Sequence, residues 1–426
     1  MKKNLSLFIA FFCLLSSSLV LAQERKVNEN YQDRFVIHDV GTVYVTLDNL
    51  AILRTPSYGS DKWPVPPVSL FDLAQRKFLK YADDAIGKNN SYAISGDETT
   101  VISFTTGKKE MVVWDIHTGK IIRKLTSPYP VFRVFSNSDA SCFFACHCFS
   151  DKKRFILDDL KDHAFGYGNK GTIWSKNSDT PLETLKEATN ITFNMAHFPP
   201  DEKFFLTLSG NGDISYWDIE SYRLIKKVRN SLTRDDETDY ALGIFNRNGK
   251  YMISCSGPGE FYLIDDGIIN TETGEVFFNL GRRTDKPAEY RCFGKVIFDR
   301  NGKFFYAGDA NVAEKPGQKV DFNDFKKILV WDIEKNKLDK FIDIEDFSGG
   351  DCIAVSPNNR FVFATATYGD DKWQIYDAKK KEVCITFRGY ADNYTYAMMN
   401  DNYACVCQSV NFDGHEMVMY VFELPK

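Results

Sequence analysis

An all-β fold, made of one four-stranded antiparallel unit repeated eight times around a ring, is what this sequence predicts, and three observations carry the prediction. The stretch FNRNGKY at 245–251 returns almost letter for letter as FDRNGKF at 298–304. Each Asn-Gly lies between apolar, strand-forming runs. That pair is the strongest short hairpin signal, expected as a two-residue type I′ turn with positive φ at both central residues. An apolar or aromatic residue followed by an acid recurs at Phe71-Asp72, Trp114-Asp115, Leu157-Asp158, Trp217-Asp218, Ile264-Asp265, Trp331-Asp332, Tyr376-Asp377 and Phe422-Glu423, at intervals of 43 to 67 residues. Fixed-period self-similarity of this length marks a repeat architecture. Helical periodicity is rare, and only TPLETLKEA at 180–188 reads as a short helix on a loop.

In chain order, MKKNLSLFIAFFCLLSSSLVLA at 1–22 has Lys2 and Lys3, an apolar run from Leu5, and small residues before Gln23. It reads as a secretory signal cut after Ala22, with an uncleaved anchor helix as the alternative. Cys13 lies in the apolar run with no small-residue lipobox before it, and no later segment is apolar for long enough to span a bilayer. The mature chain, 23–426, is expected to be one domain, with blades near 41–84, 89–128, 129–185, 189–232, 238–284, 288–346, 349–390 and 392–426. Six blades carry a turn between apolar runs upstream of the acid: SGDETTVIS, FSNSDASCFF, FPPDEKFFLTLSG, FNRNGKYMISCSG, FDRNGKFFYAGD and VSPNNRFVFATAT. VVWDIHTGK, SYWDIESYR, LVWDIEKNK and WQIYDAKKK each close an alternating strand and open a polar turn. The unit is therefore strand, tight turn, strand, turn, strand ending in the acid, turn, strand, which is the blade of a β-propeller. The last repeat, 393–423, holds only three strands, and RFVIHD at 34–39 is a spare one. If 32–40 completes the last blade the ring closes and both free edges vanish. Eight blades are expected, seven being the alternative.

These motifs resemble the WD40 repeat, with its F-S-P-D-G turn, small-residue strand and closing Trp-Asp. The resemblance spans nearly the whole mature chain and is strongest at 198–219 and 355–377. It implies that the Trp packs between blades, that the Asp accepts hydrogen bonds in the following turn, and that small second-strand residues such as Thr207, Ser254 and Ala364 let the sheets approach. The Gly-His dipeptide usual in that family is missing, and the six histidines fall elsewhere, so its buried His–Asp network is expected to be absent. Aromatic packing must compensate, in keeping with 35 Phe and 21 Tyr.

A net charge of −5 with interspersed lysines argues against nucleic acid, which needs a basic stripe. Ten cysteines, one in the leader, leave an odd nine. Cys142, Cys146 and Cys148 share one strand parity, as do Cys405 and Cys407. Same-face neighbours on a strand lie roughly 6.6–6.8 Å apart, at the limit of disulfide reach, so these read as small buried hydrophobes. Alternation sets His147 opposite those cysteines, which argues against a tetrahedral zinc site. DDGIINTETGE lacks the alternating carboxylates of a calcium loop. DIHTGKIIR at 115–123 matches the Asp, Thr-Gly-Lys and Trp motif of eight-bladed quinone dehydrogenases until Arg123 replaces the Trp, and NTETGEVFF at 270–278 has Asn first and Phe last. No cofactor, metal site or catalytic signature is therefore expected.

The chain spends extra residues at 56–67, 231–240, 281–290, 308–325, 345–351 and 367–373. In a propeller these connections share one face, and five of the six belong to blades four to seven. Loops carrying aromatics among charges on a rigid scaffold suit partner binding. The candidate anchors are Tyr240, Arg282, Arg283, Tyr290, Phe322, Phe325, Tyr368 and Trp373. The expected function is a non-catalytic, extracytoplasmic protein–protein interaction scaffold, in the periplasm or at the cell surface, with an envelope protein as partner. A propeller hydrolase, or a carbohydrate or small-ligand binder using the central channel, is the alternative.

Overall fold

A computed structural model describes residues 27–31, 34–38, 42–54, 68–79, 91–148, 167–185, 193–201, 203–209, 212–232, 240–257, 264–280, 290–292, 295–312, 327–343, 351–365, 372–388, 396–409 and 417–426. Eight antiparallel sheets, each with strands a to d, which follow sequence order in seven of them, stand in a ring as a β-propeller. Blade 1 holds Thr42–Val45, Leu50–Arg54, Ser69–Asp72 and Lys77–Leu79. Blade 2 holds Ser91–Ile94, Thr100–Phe104, Glu110–Asp115 and Ile121–Thr126, and blade 3 holds Val131–Ser136, Phe143–Cys148, Tyr167–Trp174 and Glu183–Thr184. Blade 4 holds Phe193–His197, Phe204–Ser209, Asp213–Asp218 and Leu224–Arg229, and blade 5 holds Tyr240–Phe245, Tyr251–Gly257, Ile264–Asn270 and Val276–Asn279. In blade 6 strand a is split into Tyr290–Cys292 and Val296–Phe298, both paired with Phe304–Val312, before Lys327–Asp332 and Lys337–Asp343. Blade 7 holds Asp351–Val355, Phe361–Thr365, Lys372–Asp377 and Glu382–Arg388.

Blade 8 is assembled from both ends of the chain. Tyr396–Met399, Tyr403–Ser409 and Met417–Glu423 are joined by Arg34–His38, in register from Arg34 opposite Phe422 to His38 opposite Val418. Phe35 and Ile37 are buried there beside Met419 and Val421. The expected closure is thus formed, with one addition: Val27–Tyr31 pairs outside Arg34–His38 as a fifth strand.

The ring coheres through eight apolar clusters, one at each junction between blades. The residue at the acid-preceding position of strand c always faces the previous blade. Phe71, Trp114, Trp174, Trp217, Ile269, Trp331, Tyr376 and Phe422 fill that place in turn. Inner strands are buried on both faces, as in blade 2, where Thr100–Phe104 is buried throughout and the outer strand alternates. In blades 2 and 4 the indole nitrogen donates to a strand b hydroxyl, Trp114 to Ser103 at 3.2 Å and Trp217 to Thr207 at 2.9 Å.

The acid after this position caps the c–d turn, as expected. Asp115 Oδ1 accepts the backbone N–H of His117 and Thr118, and Asp72, Asp218, Asp332 and Asp377 accept equivalent bonds. This turn is also where DIHTGK lies, with Gly119 at φ 66°. Two landmarks are corrected. Leu157-Asp158 falls outside the described residues, and strand c of blade 3 ends instead at Trp174, where Ser175 Oγ accepts Asn177 N at 3.1 Å. Ile264-Asp265 begins strand c of blade 5 rather than ending it, and Asn270 Oδ1 accepts Glu272 N at 2.9 Å. Any short side chain with an oxygen acceptor can hold such a turn.

Two further expectations differ. The segment 180–185 is not helical, since Glu183–Thr184 is the outer strand of blade 3, where pairing with Thr172 and Ile173 overrides weak helical periodicity. The two Asn-Gly hairpins form, but among the described residues only the glycine takes positive φ, 71° at Gly249 and 69° at Gly302. Gly249 N donates to Asn246 O at 2.9 Å, closing a four-residue turn followed by a left-handed residue rather than a type I′ pair. Cys142, Cys146, Cys405 and Cys407 are buried, in line with the reading as small hydrophobes.

Candidate functional site

A propeller offers two ends and a channel. The a–b and c–d turns emerge at one end, the b–c and d–a connections at the other. All six long connections marked in the sequence join b to c or d to a, so they leave the sheets at the same end. So do 80–90 and 149–166, which extends the long-connection end beyond blades four to seven. Tyr240 and Tyr290 stand at that end, at the start of strand a in adjacent blades, paired with Gly257 and Val312. Arg282, Arg283, Phe322, Phe325 and Tyr368 lie outside the described residues.

Trp373 is a correction. Its side chain is fully buried between blades 7 and 8, against Phe363 at 5.9 Å and Phe387 at 5.5 Å between ring centroids. Strand alternation sends Trp373 and Ile375 into that junction together, so Trp373 is a core residue and no surface anchor.

The opposite end is knit tightly. Its a–b turns repeat one device: the residue three places after the turn's first residue takes positive φ, at Asn49, Glu98, Ala140, Gly249, Gly302 and Asn359. Neighbouring turns are then tied across junctions. Leu47 N donates to Glu98, Asp97 N to Ser138 O, His197 to Arg247 O, Asn246 to Gly302 O, Asn301 to Pro357 O, Asn358 N to Asp401, and Asn400 to Thr46 O. Blades 3 and 4 meet through ring contacts such as Phe144 with Phe205 at 6.0 Å.

Glu98 breaks the pattern of that series. Gly and Asn tolerate the left-handed conformation, whereas for most residues it costs about 1–2 kcal/mol. Glu98 adopts it at φ 61° and is almost wholly buried. Its Oε1 accepts the Tyr44 hydroxyl at 3.0 Å and the Arg300 guanidinium, and its Oε2 accepts Leu47 N at 2.8 Å. Arg300 belongs to the a–b turn of blade 6, diametrically opposite blade 2. The pair therefore bridges the channel at its tightly turned end.

The strands a of successive blades pack side by side around the axis. Tyr44, Tyr92 and Tyr396 sit on those of blades 1, 2 and 8. All three hydroxyls are held above the ordinary phenol range, first by burial, then by Glu98 for Tyr44, Tyr396 for Tyr92 and Cys407 for Tyr396. Tyr396 nonetheless keeps 42% of its surface open. The two facts agree if that surface faces the channel, which is enclosed by protein. Arg54, beside Tyr92, has its pKa lowered by burial.

His147 is buried in strand b of blade 3, bonded to Thr172 Oγ1 at 2.6 Å and Pro130 O at 3.2 Å. Thr172 Oγ1 also accepts the Trp174 indole N–H at 2.7 Å. Burial lowers the His147 pKa to about 4, so the ring is neutral; Nδ1–H donates to the carbonyl and Nε2 accepts the Thr172 hydroxyl proton.

Sequence reasoning missed Glu98, Arg300 and the tyrosines. The one available signal was Glu98 itself, in SGDETT, where sibling turns place Gly, Asn or Ala. No known family model matches the chain, and no curated protein matches it in sequence.

Proposed function

We propose that this chain is a divergent, exported, WD40-like propeller that serves as a non-catalytic interaction scaffold, presenting its long-connection end to a protein partner of the cell envelope. The observation that carries the reading is the segregation of connections. The a–b turns at one end are short and tied to their neighbours, while the connections of ten residues or more at 55–68, 80–90, 149–166, 230–239, 280–289 and 313–326 all depart from the other. Hairpin links need only about 2–5 residues, so the additional length serves something other than chain reversal. Function on such scaffolds concentrates in loops held by a rigid frame. Blade 6 adds a lip at that end, where the pairing of Tyr290 with Val312 carries its sheet past the split in strand a.

The residues proposed to contact the partner are Tyr240, Arg282, Arg283, Tyr290, Phe322, Phe325 and Tyr368, because aromatic and Arg anchors hold most of the energy of an interface. The test begins with capture from the envelope fraction of the native host and measures the captured protein against two variants. One replaces Arg282, Arg283, Phe322 and Phe325 with Ala. The other replaces Lys379 and Lys380, exposed in a c–d turn at the opposite end. Affinity should fall in the first alone. Equal retention in both, with intact circular dichroism, places the contact elsewhere.

A further inference from the structure

The channel carries a second and independent site. We propose that it is a blind pocket for a neutral, polyhydroxylated ring compound of the sugar type, floored by Glu98 and Arg300 and walled by Tyr44, Tyr92 and Tyr396.

The floor follows from the crossbar. An a–b turn needs no carboxylate, and the sibling turns use Gly, Asn or Ala at that place. Glu98 nevertheless occupies the strained position and directs its carboxylate to three donors: the Tyr44 hydroxyl, Leu47 N and Arg300 from the facing blade. The channel is thereby closed at the tightly turned end, and entry is from the long-connection end.

The walls decide the ligand class. Charge on the floor is internally neutralised, and Arg54 near Tyr92 is already engaged by neighbouring groups, so none of these offers a free counter-charge. The tyrosine hydroxyls stay protonated at any physiological pH; Tyr44 spends its proton on Glu98 and can only accept, whereas Tyr92 and Tyr396 can each donate and accept. Among the described residues, the Tyr92 and Tyr396 hydroxyls make no hydrogen bond of their own. Across the axis from blade 1, blade 5 presents Ile244 on strand a with 48% of its surface open. The Tyr44 and Tyr92 rings lie half-buried against the apolar cluster between blades 1 and 2, so the open aromatic face is that of Tyr396. That face, the neutral hydroxyls and Ile244 together match a sugar ring, which has hydroxyl edges and apolar C–H faces. An ionised ligand would enter without a partner and lose its hydration.

The experiment is calorimetric titration of the full chain with maltose, cellobiose and chitobiose as neutral probes, and glucuronate and glucosamine as charged ones. At least one neutral probe should bind at up to about 10 mM, weakly as expected for a small polar ligand. Tyr92→Phe and Tyr396→Phe keep the rings and remove one hydroxyl each. Each should weaken that binding roughly fivefold or more, the loss of one hydrogen bond, whereas Tyr222→Phe in a distant c–d turn should not. Unchanged melting temperatures in all three variants keep the comparison clean. Binding of no neutral probe, equal binding in the Tyr92 and Tyr396 variants, or tighter binding of either charged probe overturns the proposal. None of these outcomes bears on the loop-end partner, whose capture is scored separately.

Discussion

The two ends of this ring are made by the same strands and obey opposite rules. At the a–b end the a–b turns are short, one residue in each of six of them is driven into the left-handed region, and hydrogen bonds cross seven of the eight junctions. At the b–c and d–a end the connections vary widely in length. Sheets packed face to face must be held at a fixed angle, and tying one rim is enough to do so. The other rim is then released from structural duty and can vary with function, which is the division of labour expected of a binding scaffold.

The largest effect should come from undoing the closure on which both rims depend. Deleting residues 24–40 removes Phe35 and Ile37 from the junction between blades 8 and 1, and Val36, buried on the other face of the same strand. Each such side chain is worth about 1.5–3 kcal/mol on burial. Met417–Glu423 would be left as an open edge. Melting should drop steeply and higher oligomers should appear on size-exclusion chromatography. A stable monomeric deletion mutant would mean that the ring does not depend on this strand.

Next in size are the tryptophans. Trp217→Ala and Trp373→Ala should each cost about 3–5 kcal/mol in chemical denaturation, because both are buried at junctions. Trp373 sharpens the comparison, since it lies near the long-connection end in sequence yet belongs to the core. The expected outcome is loss of stability with partner affinity preserved in the folded fraction.

What the sequence made legible was what repeats chemically and locally. The strands, the c–d turns at Asp72, Asp115, Asp218, Asp332 and Asp377, and the terminal closure follow from alternation and turn chemistry. The closing landmarks of blades 3 and 5 were misplaced, though the blades were not, because Ser175 and Asn270 do the work of Asp: the turn selects an oxygen acceptor, not a particular residue. Trp373 was misread because Gly369-Asp370-Asp371-Lys372 before it suggests a loop, although parity with Ile375 marks it as inward. Glu98 and Arg300 stand 202 positions apart and meet only because eight blades close a circle. No local pattern encodes that contact.

His147 offers a gentler probe of the frame. Its pKa falls from the usual 6.5 to about 4 on folding. The unfolded chain therefore binds the proton first, so the stabilisation is complete above pH 6.5 and is lost as pH falls toward 4. A shift of that size corresponds to about 3 kcal/mol. Denaturation midpoints should decline across this window, and His147→Gln should flatten the decline. An unchanged slope in the variant would locate the acid sensitivity elsewhere. The c–d carboxylates act lower. In Asp377, burial opposes the charge, but Arg360 and the N–H groups of Lys380 and Lys379 outweigh it and hold the pKa below 3.8, so its contribution is lost only as pH falls below that value.

The smallest effect is expected where the comparison is most direct, with one change made at each rim of blade 6. Replacing 313–326 by a six-residue Gly-Ser linker alters far more atoms than Gly302→Ala does. Yet loop-closure entropy depends only weakly on length, and changes away from packed features usually stay within about 0.5 kcal/mol. Gly302 sits at φ 69°, and a Cβ there would come within 3.0 Å of Arg247 N in the neighbouring turn. That single methyl should cost about 1–2 kcal/mol from the left-handed backbone alone. Denaturation of the two variants side by side should rank the one-atom change above the loop replacement. The reverse order would mean that the long connection of blade 6 is itself part of the frame, and the division between a structural rim and a functional rim would fail at that blade.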